Sequence, residues 1–138
     1  MINLIIGKKG SGKTKRLIDF VNAAGKASNG SVVCVEQERL LTHDISREIR
    51  LVETDSYKVE GYDAFYGFLA GLLAGNYDIT DVCIDATLKI GGKDFEALCA
   101  FLKKVAVLSS ENNAVFTFTI SADESELPAE IFDFCNKI

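Results

Sequence analysis

The chain has 138 residues, 48% apolar and 25% charged, with a single proline and no low-complexity tract; this excludes disorder and fits one domain around one core. Its formal charge of −5 disfavours a non-specific nucleic-acid binder, because a phosphate backbone would be repelled over most of the surface. The longest apolar stretch, Ala64 to Ala74, has 11 residues including Gly67 and Gly71 and is too short to span a bilayer.

In chain order, the opening run "INLII" is of strand length, and the glycine-rich break behind it favours a buried parallel strand. A helix is expected from Lys13, with Leu17, Phe20, Val21 and Ala24 on one face, Lys15, Arg16, Asp19 and Asn22 on the other, and Gly25 as its stop. "SNGSVVCVE" reads as a turn and a strand over 31–36. Residues 36–60 are charged and irregular, with a weak strand at 48–52, and are the expected partner-facing or substrate-facing segment. A helix over 62–75 follows, in which Gly67, Gly71 and Gly75 share a face. That face is expected to pack tightly on the sheet, with a subunit interface as the alternative.

"ITDVCIDA" predicts a strand ending near Asp85, and "GGKDFEALCAFLKKVAVLSS" a helix burying Phe95, Leu98, Leu102 and Val105. "NAVFTFTIS" is another strand, and Pro128 opens a short terminal helix with Ile131, Phe134 and Cys135 inward. Strands alternating with helices predict an α/β fold: a mostly parallel sheet of about five strands, covered by helices on both faces. Cys34, Cys83, Cys99 and Cys135 form no C-x-x-C pair and are expected in the core as reduced thiols. No basic leader precedes the first apolar run, so the expected location is the cytoplasm. His43 has no ligand-like partner spacing and is assigned no role.

"GKKGSGKT" at 7–14 is the informative stretch. It matches G-x-x-x-x-G-K-[ST] at every fixed position, with a strand before it and a helix after. Glycines at 7, 10 and 12 let the backbone curl so that amides point at an anion, and the helix start adds roughly half a positive charge. Five of the fifteen basic residues, Lys8, Lys9, Lys13, Lys15 and Arg16, gather here. On these residues the chain resembles the P-loop nucleoside triphosphatase superfamily, in a compact RecA-like form with a three-layer α/β fold.

That resemblance implies ATP and Mg²⁺ as ligands. Gly7, Lys8, Lys9, Gly10, Ser11, Gly12, Lys13 and Thr14 would cradle the triphosphate, Lys13 would stabilise the transferred phosphoryl group, and Thr14 and Asp85 would serve the metal. Asp81 is the weaker alternative to Asp85. Ala86 stands where many hydrolysing members carry a Glu, so a catalytic base is sought instead at Glu38, with Glu36 behind it. Ser121, or Thr119, would hold the place of a γ-phosphate sensor.

The function expected is a weak or partner-stimulated ATPase. The alternatives are a kinase akin to the thymidine kinase type, or a non-hydrolysing interaction module. Ras-like GTPases are disfavoured because N-K-x-D is absent. ParA and MinD-type ATPases match at Lys8 but not at Lys9, where their loop has Gly. A protein partner or second copy is expected at 36–60 or on the helix over 62–75.

Overall fold

In the computed structural model, which describes residues 1–138, the opening apolar run is strand β1 (Ile2–Gly7), and helix α1 (Lys13–Ala27) follows the glycine-rich loop. The chain continues through β2 (Ser31–Glu36), β3 (Arg50–Glu53), α2 (Tyr62–Gly75), β4 (Ile79–Ile84), α3 (Thr87–Gly91), α4 (Phe95–Asn112), β5 (Val115–Ser121) and β6 (Asn136–Lys137). The strands form one sheet in the order β3-β2-β4-β5-β1-β6, and every neighbouring pair is parallel. The expected mostly parallel sheet of about five strands is met by one of six strands, all parallel. The weakly predicted strand over 48–52 is β3, and β6 is a two-residue addition beside β1.

Alternation along the strands divides the core into two. Leu4, Val33, Val35, Val82, Ile84, Phe116 and Phe118 face α2 and α4, where they meet Phe65, Leu69, Leu98, Leu102 and Val105. The rings of Phe65 and Phe101 lie 4.9 Å apart, with Phe118 at 5.8 Å from Phe101 in an edge-on contact. Ile5, Val32, Cys34 and Cys83 point to the opposite face, covered by Leu17 and Val21 of α1 and by Leu41, Ile45 and Ile49 of the β2–β3 connection. The result is a three-layer α/β fold. All four cysteines are buried and unpaired. No helix is long and apolar enough to cross a membrane.

Four local expectations change. Gly25 does not stop α1, which runs on to Ala27; a Cβ at Gly25 would sit 2.9 Å from Ile49 Cδ1, so the small residue admits the β2–β3 connection. Gly67, Gly71 and Gly75 are exposed, and a Cβ at any of them would meet nothing within 4 Å, so this face of α2 is open rather than packed on the sheet. The helix expected from Gly91 begins instead at Phe95, capped by Asp94, which accepts hydrogen bonds from the amides of Glu96 and Ala97; α3 precedes it, and Gly92 at φ 108° separates the two. The helix predicted after Pro128 is a 3-10 turn, Ala129–Asp133.

Candidate functional site

Loop 7–14 leaves the carboxyl end of β1 and enters α1 through Gly12 at φ 88°, with Gly10 at φ 84°; both are left-handed conformations that side chains with a Cβ resist. A Cβ at Gly7 would fall 2.4 Å from Ser11 Oγ, so the loop closes over a glycine there as well. The Ser11 amide donates to the Lys8 carbonyl at 3.1 Å, and Lys13 Nζ donates to the same oxygen at 3.0 Å. The first turn of α1 has neither a side-chain cap nor an acidic residue. No residue of that turn caps its amides or offsets its dipole, and the nearby carboxylate is that of Asp85, just past β4.

Lys13 is 7% exposed. Burial lowers its pKa from the ordinary lysine value, and the charge of Asp85 works the other way. Lys8 and Lys9 are exposed, and Lys8 makes a long contact of 3.9 Å with Asp123, so the cationic density of the loop faces outward.

Asp85 stands just past β4, its amide donating to the Val35 carbonyl at 2.8 Å. Thr119 on β5 donates its hydroxyl to Asp85 Oδ1 at 2.8 Å and accepts the Ala86 amide at 3.0 Å, which fixes the carboxylate. The Thr14 hydroxyl lies 3.4 and 3.3 Å from the two Asp85 oxygens. Ala86 takes a left-handed conformation at φ 59° between the carboxylate and α3. Thr87, the next residue, is fully buried and its hydroxyl has no partner. The structure thus gathers Lys13, Thr14, Asp85 and Thr119 at the carboxyl ends of three parallel strands. This is where open α/β sheets place ligands.

The other sequence candidates fall around this centre. Ser121 is exposed opposite Gly7 in the β1–β5 register, whereas Thr119, the alternative, makes the contact to Asp85. Asp81 sits at the amino-terminal part of β4, bonded by Thr80, at the far end of the strand from the loop. Glu38 is exposed and makes no hydrogen bond or ion pair. Glu36 is 3% exposed and accepts the amides of Leu40 and Leu41 at 2.9 and 3.4 Å, pinning the segment that carries Glu38 and Arg39. In the sequence Glu36 stands only behind Glu38; its capping contacts carry no sequence signature beyond a Glu at a strand end.

Burial raises the Glu36 pKa above its ordinary 4.5, with Glu53 and Asp85 adding to the rise and the two amides opposing it. A raised acid contributes stability that is fully present below 4.5 and lost as pH climbs through its folded value. Melting curves against pH are expected to fall over that interval in the wild type and to be flatter in Glu36→Gln, which keeps an oxygen for the Leu40 amide. Identical pH slopes would show that Glu36 titrates as it does in the unfolded chain.

No protein-family profile matches the sequence, and no curated protein sequence matches it. Solved structures do. The crystal structure of the flagellar accessory protein FlaH from Methanocaldococcus jannaschii is similar with a TM-score of 0.59 at 15% identity, over 96% of this chain and 65% of FlaH. This chain therefore spans less than two-thirds of that protein, and the likeness is one of α/β fold.

Proposed function

We propose that the chain is a small P-loop ATP-binding protein that holds Mg·ATP and hydrolyses it slowly or when a partner stimulates it. The observation that carries this reading is the meeting of an uncapped helix start, a glycine-curled loop and a buried lysine with a threonine hydroxyl and a fixed carboxylate. The first three suit a phosphate chain. The last two are hard oxygen donors of the kind Mg²⁺ takes.

Bound there through Thr14 and Asp85, Mg²⁺ would neutralise charge on the phosphate oxygens. The protein's share is positioning. Loop amides and Lys13 would hold the phosphates, and Thr119 would keep Asp85 from turning away. Ala86 offers no carboxylate to the attacking water, which leaves Glu38, exposed and unbonded, as the base. Such an arrangement supports slow turnover.

Single-turnover hydrolysis of ATP by wild type and Glu38→Gln is the test, with loss of a general base expected to slow the step about 100-fold or more. An unchanged rate would remove Glu38, and no turnover in either protein would leave the nucleotide as a bound ligand. One observation favours the kinase reading: a cavity of about 420 Å³ at the carboxyl ends of β2 and β3, lined by Gln37, Asp55, Lys58, Glu60 and Lys89, has room for an acceptor. That reading expects a phosphorylated product only when a nucleoside or nucleotide is added.

A further inference from the structure

Arg39, Arg47 and Arg50, three of the four arginines in the chain, line one cleft of about 590 Å³ at the β3 edge of the sheet. From β3 to β1 the sheet order runs through β2, β4 and β5, four steps of about 4.8 Å or roughly 19 Å, so the cleft stands apart from the loop at 7–14.

The arginines are not equivalent. Arg39 is occupied: its Nε and one Nη both lie 2.7 Å from Glu53 Oε1, and Glu53, with a side chain only 12% exposed, holds it in place. Arg47 and Arg50 are exposed and make no ion pair. Arg50 lies on the Val52 side of β3 and borders the cleft across the strand's open edge, since β3 has a neighbour only in β2. The remaining acid of the cleft, Glu48, has Oε1 3.9 Å from where a Cβ on Gly25 would stand, and so leans on α1. Two guanidinium forks are thus left without a carboxylate, in a chain whose net charge is −5.

Between the charges the lining is apolar, with Ile49 buried and Leu51 half-buried. Tyr57 forms a wall. Its ring lies 6.1 Å from that of Phe68 yet the residue is 58% exposed, so the ring is backed by an aromatic neighbour and open to a ligand. An exposed, supported aromatic beside unpaired arginines is the composition of a binding site rather than of a solvated face.

We propose that this cleft binds a phosphate monoester carried on a flat ring, of the class of a nucleoside monophosphate. The two halves of the ligand answer to different residues. A carboxylate has two oxygens and is filled by one guanidinium fork, whereas a phosphate monoester presents three and accepts from both Arg47 and Arg50. The ring would stack on Tyr57 over Ile49 and Leu51. The volume lies within the range of about 300–1,000 Å³ that small-molecule sites occupy. A nucleic-acid strand is a poorer occupant, because the phosphates on either side of the bound one would meet an acidic protein. The proposal does not rest on nucleotide binding at 7–14 and stands if that loop binds nothing.

The probe is AMP, titrated in EDTA into isotope-labelled wild type and Lys13→Ala, with amide resonances followed residue by residue. Saturable shifts centred on residues 47–57 are expected, alike in both proteins because Lys13 belongs to the other site. The double substitution Arg47→Ala with Arg50→Ala, both at exposed positions, is expected to weaken AMP by about tenfold or more while the melting temperature holds. Tyr57→Ser separates the halves: AMP should weaken and ribose 5-phosphate should not. Adenosine, with the ring but no phosphate, should leave the cleft unshifted.

No saturation at 47–57 up to ~1 mM, shifts confined to 7–14, or indifference to the double substitution overturns the proposal. Equal binding of adenosine would remove the phosphate, and equal binding of ribose 5-phosphate or inorganic phosphate would remove the ring. A phosphotyrosine peptide binding more tightly than AMP would assign the cleft to a protein partner. Each of these results also overturns it.

Discussion

Lys13→Ala is expected to lower the affinity for Mg·ATP by roughly two to three orders of magnitude, measured by titration calorimetry against the wild type. Lys13 is 7% exposed and held to the Lys8 carbonyl, so its ammonium waits inside the loop rather than in bulk water. Part of its desolvation cost is already met in the free protein, and burial depresses its pKa while Asp85 supports the charge. A triphosphate would supply the missing counter-charge. Removing one partner of a desolvated pair costs about 3–5 kcal/mol, and about 1.4 kcal/mol is tenfold in affinity. Lys13→Arg should not rescue, because a planar guanidinium cannot take the place of a point charge beneath a closed loop. Equal binding by wild type and Lys13→Ala would separate the lysine from the ligand, and an unchanged melting temperature would exclude unfolding as the cause.

What could be read in the sequence, and what could not, follows the range of the interactions. The first strand, the loop and α1 were legible because their constraints are local: glycines at 10 and 12 meet positive φ, and the apolar run before them is unbroken. β3 was blurred because "RLVE" carries the charges that an edge strand tolerates and a central strand does not. α3 was hidden by its brevity and by Ala86, an ordinary residue at φ 59°. The glycines misled in both directions. Gly25 resembles a terminator but answers to Ile49 across a tertiary contact, and the row on α2 resembles a packing seam but faces open space.

The site divides the same way. Gly7 to Thr14 is a contiguous motif, and Asp85 follows from an acid at a strand end. That Thr119 rather than Ser121 bears on Asp85 depends on the parallel register of β5 between β1 and β4, which places Thr119 beside Ile5 and one residue past the pairing of Phe118 with Ile84. Nothing local to "TFTIS" distinguishes the two hydroxyls.

Asp85→Asn is expected to act with opposite signs in the presence and absence of Mg²⁺. With Mg²⁺ the affinity for ATP should fall about 10- to 100-fold, the range for losing one charge-assisted contact of about 1.5–3 kcal/mol. In EDTA it should stay level or rise, because a carboxylate beside the loop repels a triphosphate and the amide does not. Asparagine keeps an oxygen to accept from the Thr119 hydroxyl at the 2.8 Å position, so the frame around Ala86 is retained. The crossing separates two roles. A purely structural Asp85 would shift the melting temperature and weaken ATP binding by the same factor in both conditions, whereas a carboxylate that serves a cation changes the ratio. A ratio identical to that of the wild type would withdraw Asp85 from the metal and leave Thr14 as its only protein oxygen in the site.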